Sequence, residues 1–290
     1  MVQTDADGTQ GVGFGLVHLP DRGVLRLSGP DRVAFLQGLV SNDVTRLAPD
    51  RAVYACLLTP QGKFLHDFFL IADDESLLID CEADRREDLL RRLKMYRLRS
   101  KIETADVTNT YAVMARAGEG DDTPGAIAFA DPRNPALGRR LLVPRDAVIV
   151  DSPDGWTLYD RLRIALGVPD GSRDMEVGKA ILLENNIDLL NGIAWDKGCY
   201  MGQELTARTH YRGLVKKRLT PVRIAGATPP VGTPLMENGV EVGEMRSSAG
   251  DVGLALLRLE VLRRKQPIAI DGTILTPEPP AYFPSSSEEA

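Results

Sequence analysis

The apolar pattern of this 290-residue chain changes character at Leu219. Before that point, strand-type alternation and helix-type spacing follow one another. Residues 24–27 alternate as a strand, and Val33, Leu36 and Val40 then fall on one helix face. Ser28-Gly29-Pro30 between them offers a cap candidate with proline near the first helical position. The next stretch predicts a strand over 53–58, a turn at Pro60-Gln61-Gly62, strands over 64–71 and 77–81, and a helix over about 84–98. A strand at 112–115 and a helix from about 157 to 166 follow. Beyond Leu219 only short strands remain, at 221–224, 240–242, 253–257 and 268–270, separated by Gly and Pro. The pattern therefore reads as α+β followed by a small all-β module. From Pro277 the periodicity stops, and a disordered tail is expected.

One block concentrates the chemistry. Lys197-Gly198-Cys199-Tyr200-Met201-Gly202-Gln203-Glu204-Leu205-Thr206-Ala207-Arg208 sets a cysteine among glycines, a lysine and an arginine, ahead of a predicted helix over 202–211. Gln203, Glu204, Leu205 and Ala207 are good helix formers, Glu204 and Arg208 are spaced for a same-face ion pair, and Gly213 lies beyond the end. Near a helix N-terminus, with Lys197 at hand, Cys199 is favoured as a thiolate, and Gly198 and Gly202 permit turns and close approach. A poised nucleophile or metal ligand fits this spacing, and so does a small buried hydrophobe in a tight turn. Tyr200 and Gln203 can fix the loop through hydrogen bonds to backbone. Ile193 and Trp195 read as a strand anchoring it. A Cys199–His210 pair is opposed by the straight rise of the helix between them.

The same block, continuing as Leu-Thr-Ala-Arg-Thr-His-Tyr-Arg-Gly-Leu-Val-Lys-Lys-Arg-Leu over 205–219, resembles the signature of the YgfZ family of folate-binding proteins, and within it the branch of the mitochondrial iron–sulfur cluster assembly factor. Residues 27–43, Gln61-Gly62-Lys63-Phe64-Leu65-His66-Asp67, 163–169 and Glu184-Asn185-Asn186-Ile187 extend the resemblance over about residues 16–260. It implies an aminomethyltransferase-like fold, three subdomains in a ring around a folate-sized opening, with a C-terminal β-barrel. The expected division is a folate-binding domain from 1–50 and 106–215, an inserted α+β subdomain at 51–105, the barrel at 216–276 and the disordered tail at 277–290.

Composition narrows the function classes. A net charge of −6 argues against general nucleic-acid binding, which needs clustered Lys and Arg. The basic run 85–101 keeps Leu89, Leu93 and Tyr96 at helical spacing, as a solvated amphipathic helix does. Cys56, Cys81 and Cys199 show neither CxxC nor zinc-type spacing, so a cluster ligand would be shared with another chain. No apolar run is long enough to span a membrane, and the N-terminus resembles neither a secretory signal nor a transit peptide. The expected place is the cytoplasm of a bacterium, or the mitochondrial matrix for a mature eukaryotic form.

The resemblance also nominates folate contacts. It places an acidic residue facing the pterin at Asp67, where catalysis in the aminomethyltransferases is tied; the neighbouring His66 and the cysteine block depart from that pattern. By itself Asp67 also reads as a strand-end surface carboxylate and His66 as solvent-facing. Tyr159 could stack on a flat heterocycle or simply pack in its helix. Arg163 could clamp a glutamyl carboxylate or pair with a nearby Asp or Glu. Glu184 could accept pterin N–H groups or bridge to Lys179. The preferred function is a tetrahydrofolate-binding accessory protein that works with an A-type iron–sulfur carrier to assemble or repair 4Fe-4S client enzymes. Cys199 would be the working thiolate and a ligand to a transient shared cluster. The alternatives are a tetrahydrofolate-dependent one-carbon transferase, and an indirect role in tRNA modification through radical iron–sulfur enzymes.

Overall fold

The computed structural model describes residues 14–118, 123–147 and 154–284, with short stretches at 3–4 and 10–11. Two units form, one from Met1–Leu58, Leu65–Tyr159 and Asn191–Met201, the other from Thr59–Phe64, Asp160–Leu190 and Gly202–Ala290.

In the first unit, strands β1 (Phe14–His18) and β2 (Arg22–Ser28) lead to helix α1 (Arg32–Gln37) and strands β3 (Val53–Leu58), β4 (Phe64–Asp73) and β5 (Ser76–Glu82). Helix α2 (Arg86–Tyr96) and strands β6 (Glu103–Asp106), β7 (Tyr111–Ala117), β8 (Ile127–Ala130) and β9 (Arg139–Pro144) complete it. One sheet has the order β3-β4-β5-β2-β6, and a second, antiparallel, has the order β8-β9-β7-β1. The uncharged run of β3 is buried along its whole length. Phe35 and Leu36 of α1 and Leu89 and Leu93 of α2 join Leu25, Leu27, Phe68 and Ile79 in one core. Each such buried side chain contributes about 1.5–3 kcal/mol.

The expected inserted subdomain at 51–105 is not separate. Strand β2 pairs with β5 from Arg22↔Glu82 to Ser28↔Ser76 and with β6 from Leu25↔Asp106 to Ser28↔Glu103. A strand from before the insertion thus covers what would be an open edge of β5.

The second unit takes the end of helix α3 (Gly155–Ala165), the short helix α4 (Gly171–Asp174) and helix α5 (Gln203–Tyr211). Strands β10 (Lys217–Ala225), β11 (Pro234–Glu237), β12 (Val240–Ala249) and β13 (Val252–Arg258) follow, then helix α6 (Leu259–Arg264) and strands β14 (Ile268–Ile270) and β15 (Thr273–Pro277). These strands form an antiparallel sheet of order β11-β12-β13-β10-β15-β14, whose end strands lie beside each other, so that it nearly closes into a barrel. The expected disordered tail is ordered over 277–284. The Glu278 N–H donates to the Pro221 carbonyl, Arg223 pairs with Glu278, and the Tyr282 hydroxyl donates to the Gly167 carbonyl at 3.0 Å. Gly167 has φ +70, and a Cβ there would stand 2.7 Å from Pro280 and from the Tyr282 hydroxyl. Proline-rich composition hid a segment that packs by shape. The rest of the expected tail, 285–290, lies outside the described residues.

His66 is buried, not solvent-facing, with Nε2 2.9 Å from Asp88 on α2. Burial, followed by the positive charge of Arg85, lowers its pKa to about 4. At neutral pH the imidazole is therefore neutral and donates to the Asp88 carboxylate. The unfolded chain binds this proton first as pH falls below about 6.5, so the contribution to stability is lost between about 6.5 and 4. Urea unfolding at pH 7.5 and 4.5 should show a loss of roughly 2 kcal/mol attributable to His66. His66→Gln should flatten the pH dependence by that amount; an unchanged slope would refute the assignment.

Candidate functional site

Residues 191–201 have neither helix nor strand, contrary to the strand expected at Ile193 and Trp195. Backbone groups of such a segment must find partners elsewhere, and here the turn after α1 supplies them. The Ala194 N–H donates to the Ser41 carbonyl at 3.1 Å, and the Met201 N–H to the Gly38 carbonyl at 3.2 Å. The Ser41 hydroxyl donates to the Gly192 carbonyl at 2.6 Å and accepts from the Cys56 N–H at 2.9 Å, joining the segment to β3. The Asn42 amide donates to the carbonyls of Tyr54 and Asn191, both at 2.7 Å.

Lys197 is the central tie. Its ammonium is buried and donates to the carbonyls of Val40 and Asn42, each at 2.7 Å, and its Nζ stands 5.1 Å from the centre of the Tyr200 ring. Desolvation lowers its pKa to about 8, opposed by Asp43. Lys197 thus serves the loop's backbone. Tyr200 is buried as well. Between them Cys199 is exposed, whereas Cys56 and Cys81 are buried. Burial and the nearby Asp67 push the Cys56 thiol well up, and burial takes that of Cys81 to about 12. Of the two readings of Cys199, the small buried hydrophobe is excluded.

The glycines divide. Gly202 caps α5 at φ +82, a conformation that suits glycine. Gly62, in the glycine turn, has φ +75, and a Cβ there would lie 2.7 Å from the Gly202 carbonyl and 2.8 Å from Leu205. Two motifs far apart in sequence are thereby in contact. A Cβ at Gly198, by contrast, would meet no atom within 4 Å, so close approach does not require glycine there. Glu204 and Arg208 form the expected ion pair on the exposed face of α5, while His210 stacks edge-on with Tyr211.

The same segment borders a cleft of about 410 Å³ lined by Asn42, Arg46, Arg51, Tyr54, Asn191 and Ile193, among others. Tyr54 ties the cleft to the nominated residues. Its hydroxyl donates to Asp67 at 3.0 Å, its ring lies 5.6 Å from the Arg133 guanidinium, and Arg133 donates to the Tyr159 hydroxyl at 3.1 Å. Asp67 and Tyr159 are buried, so Asp67 is not a strand-end surface carboxylate. Neither is among the residues lining the cleft.

Arg163 and Glu184 belong to the second unit. The Arg163 guanidinium donates from Nε to Asp160 at 2.7 Å, from Nη1 to Asp174 at 2.5 Å and the Val168 carbonyl, and from Nη2 to Ser247 at 2.8 Å. All three nitrogens serve the fold, which corrects its assignment as a ligand clamp. Lys179 pairs with Glu176, not with Glu184, whose carboxyl pKa is raised by burial. Ser41, Asn42, Arg46 and Tyr54 were not singled out from the sequence as site residues. Among the described residues no group of three or more His, Cys, Asp or Glu is placed to hold a metal ion, and no helix is long and apolar enough to cross a membrane.

Comparison with known proteins bears on the family and the fold. The GCVT N-terminal domain matches residues 13–119, and the CAF17 C-terminal beta-barrel domain matches residues 216–285. The human mitochondrial iron–sulfur cluster assembly factor IBA57 is 36% identical, with 89% of this chain and 81% of that protein aligned. The mitochondrial IBA57 homologue of Mycosarcoma maydis is 34% identical, over 86% of this chain and 75% of that protein. The solved glycine cleavage system aminomethyltransferase T of Bartonella henselae superposes with a TM-score of 0.68 at 12% identity, covering 92% of this chain and 85% of that one. The fold is thus aminomethyltransferase-like with a C-terminal, nearly closed β-barrel.

Lys197→Met keeps an apolar stem but removes the donors to two buried carbonyls. It should lower unfolding free energy by roughly 2 kcal/mol or more, since each buried acceptor left unmet costs about 1–3 kcal/mol. Chemical denaturation measures this; an unchanged midpoint would show that the loop does not depend on Lys197.

Proposed function

The chain belongs to the IBA57 family of iron–sulfur cluster assembly factors, and on that premise we propose that it acts in assembly through the Cys199 thiolate, with a tetrahydrofolate held in the cleft of the first unit. The observation that carries this reading is the contrast among the cysteines. Cys199 is exposed on a segment anchored by buried side chains, while the other two lie in the core.

A thiolate at this place can contact cluster iron. One cysteine leaves the remaining positions to thiolates from elsewhere, so the reading includes a partner with cysteines of its own, an A-type iron–sulfur carrier. The cluster is cargo in this scheme, and 4Fe-4S enzymes are the clients.

The cleft fits a folate in size and chemistry. Its volume of about 410 Å³ lies within the roughly 300–1,000 Å³ typical of small-molecule sites. Pro132, half-buried, offers apolar surface to a flat heterocycle, with the nearly buried Val53 and Ile193 beside it, and Arg46 and Arg51, next to Asp50, offer cations to a glutamyl carboxylate. A bound folate would supply one-carbon or reducing chemistry; the residues here bind and orient it. For one-carbon transfer Asp67 would have to reach the substrate, but Tyr54 lines the cleft and holds Asp67 through its hydroxyl. A contribution to tRNA modification would follow indirectly, through radical enzymes that depend on such clusters.

In a host lacking this gene, aconitase activity per aconitase protein should be restored by the wild type and by Asp67→Asn. Cys199→Ser at matched expression should leave it at the empty-vector level. Full rescue by Cys199→Ser would overturn the role of the thiolate, and failure of Asp67→Asn alone would favour one-carbon transfer.

A further inference from the structure

Arg46 belongs to two structures at once. It lines the cleft, and its Nη2 donates to both oxygens of Asp196, at 2.7 and 2.8 Å. Asp196 lies between Ile193, which lines the cleft, and Cys199. Arg46 is held in place by its own backbone. It ends a short turn, Val44–Arg46, capped by the Asp43 side chain, and its carbonyl accepts from Arg51 Nε at 2.7 Å.

Lys197, Ser41 and Asn42, which also tie the segment, are buried, and the Asn191 amide donates to the Pro132 carbonyl at 3.0 Å. The Arg46–Asp196 pair differs from the buried three, with side chains 49% and 73% exposed. Exposed ion pairs are weak and are readily exchanged. A carboxylate on a ligand in the cleft offers the same two oxygens that Asp196 offers.

We propose that Arg46 couples the cleft to the cysteine segment by exchanging Asp196 for the anionic tail of the cleft's ligand. Binding then releases Asp196 and removes one tie from the chain leading to Cys199, so that an occupied cleft leaves the thiol, already exposed, freer to move and to react. The inference rests on the folate reading of the cleft and adds to it a direction of control. Coupling of this kind is reciprocal: whatever weakens the Arg46–Asp196 pair must strengthen ligand binding by the same factor.

The test uses the purified full chain. Iodoacetamide labelling of Cys199 is followed by mass spectrometry, and binding by calorimetry, with tetrahydrofolate and with 6-methyltetrahydropterin, which carries the ring without the acidic tail. Saturating tetrahydrofolate should speed Cys199 labelling roughly two- to fivefold, the size that a surface pair permits. The pterin should leave the rate unchanged. Asp196→Asn should raise the unliganded rate to that of the liganded wild type and tighten tetrahydrofolate binding by a similar factor, whereas a merely structural role for Asp196 would not tighten it. Arg46→Gln should abolish the effect of the ligand on labelling. Tetrahydrofolate that binds without changing the rate, or Asp196→Asn that binds it no more tightly, overturns the exchange and leaves the folate reading standing. Absence of tetrahydrofolate binding overturns the folate reading itself, and the coupling with it.

Discussion

An ammonium group shared between two backbone carbonyls holds the cysteine-bearing segment of this protein. Residues 191–201 have no ladder of their own, so their shape depends on side chains that reach buried backbone. Lys197 reaches Val40 and Asn42, and Ser41 and Asn42 reach back to Gly192 and Asn191. Burial of the ammonium is unfavourable, as its pKa of about 8 records, and two short charge-assisted hydrogen bonds offset the cost. With Lys197 and Tyr200 turned inward, Cys199 faces outward.

Behind the cleft a second set of buried charges holds Tyr54. Arg22 and Arg140 share Asp80, and Arg133 pairs with Asp131, all of them buried. The guanidinium groups of Arg140 and Arg133 lie 4.1 and 4.9 Å from the centre of the Phe69 ring, and Phe69 lies 5.2 Å from Tyr54. Such pairs add less to stability than well-packed apolar residues would, but removing one partner strands the other. They fix position: Tyr54 is held by Asp67 at its hydroxyl and by Phe69 and Arg133 around its ring.

What could be read from the sequence was what local chemistry determines. The run 53–58 is a strand because it is apolar and flanked by turn residues, and Leu89 and Leu93 marked the buried face of α2. Gly202 was recognisable as a conformational glycine. Strand β6, Glu-Thr-Ala-Asp, is exposed at a sheet edge and carries no apolar alternation, so only its pairing with β2 reveals it. His66 carries a polar side chain that suggested a surface role, and its partner Asp88 is 22 residues away; for Arg163 the reading of a pair with a nearby acid matches Asp160, three residues away, while Asp174 and Ser247 lie 11 and 84 residues off. The cleft was hidden for the same reason. Arg46 and Ile193 line it together, and nothing in either neighbourhood announces the other.

The likeness to an aminomethyltransferase at 12% identity shows how much of such a molecule is scaffold. A fold can keep its sheets and barrel while the chemistry is decided by a few side chains at one place. The segment 191–201 is too irregular to be fixed by backbone pairing and so is open to change through the side chains that hold it. Most of those side chains come from the single turn at residues 38–46. The turn also supplies Asn42 and Arg46 to the cleft wall. A ligand in the cleft would therefore lie against the same short piece of chain that holds the segment bearing Cys199.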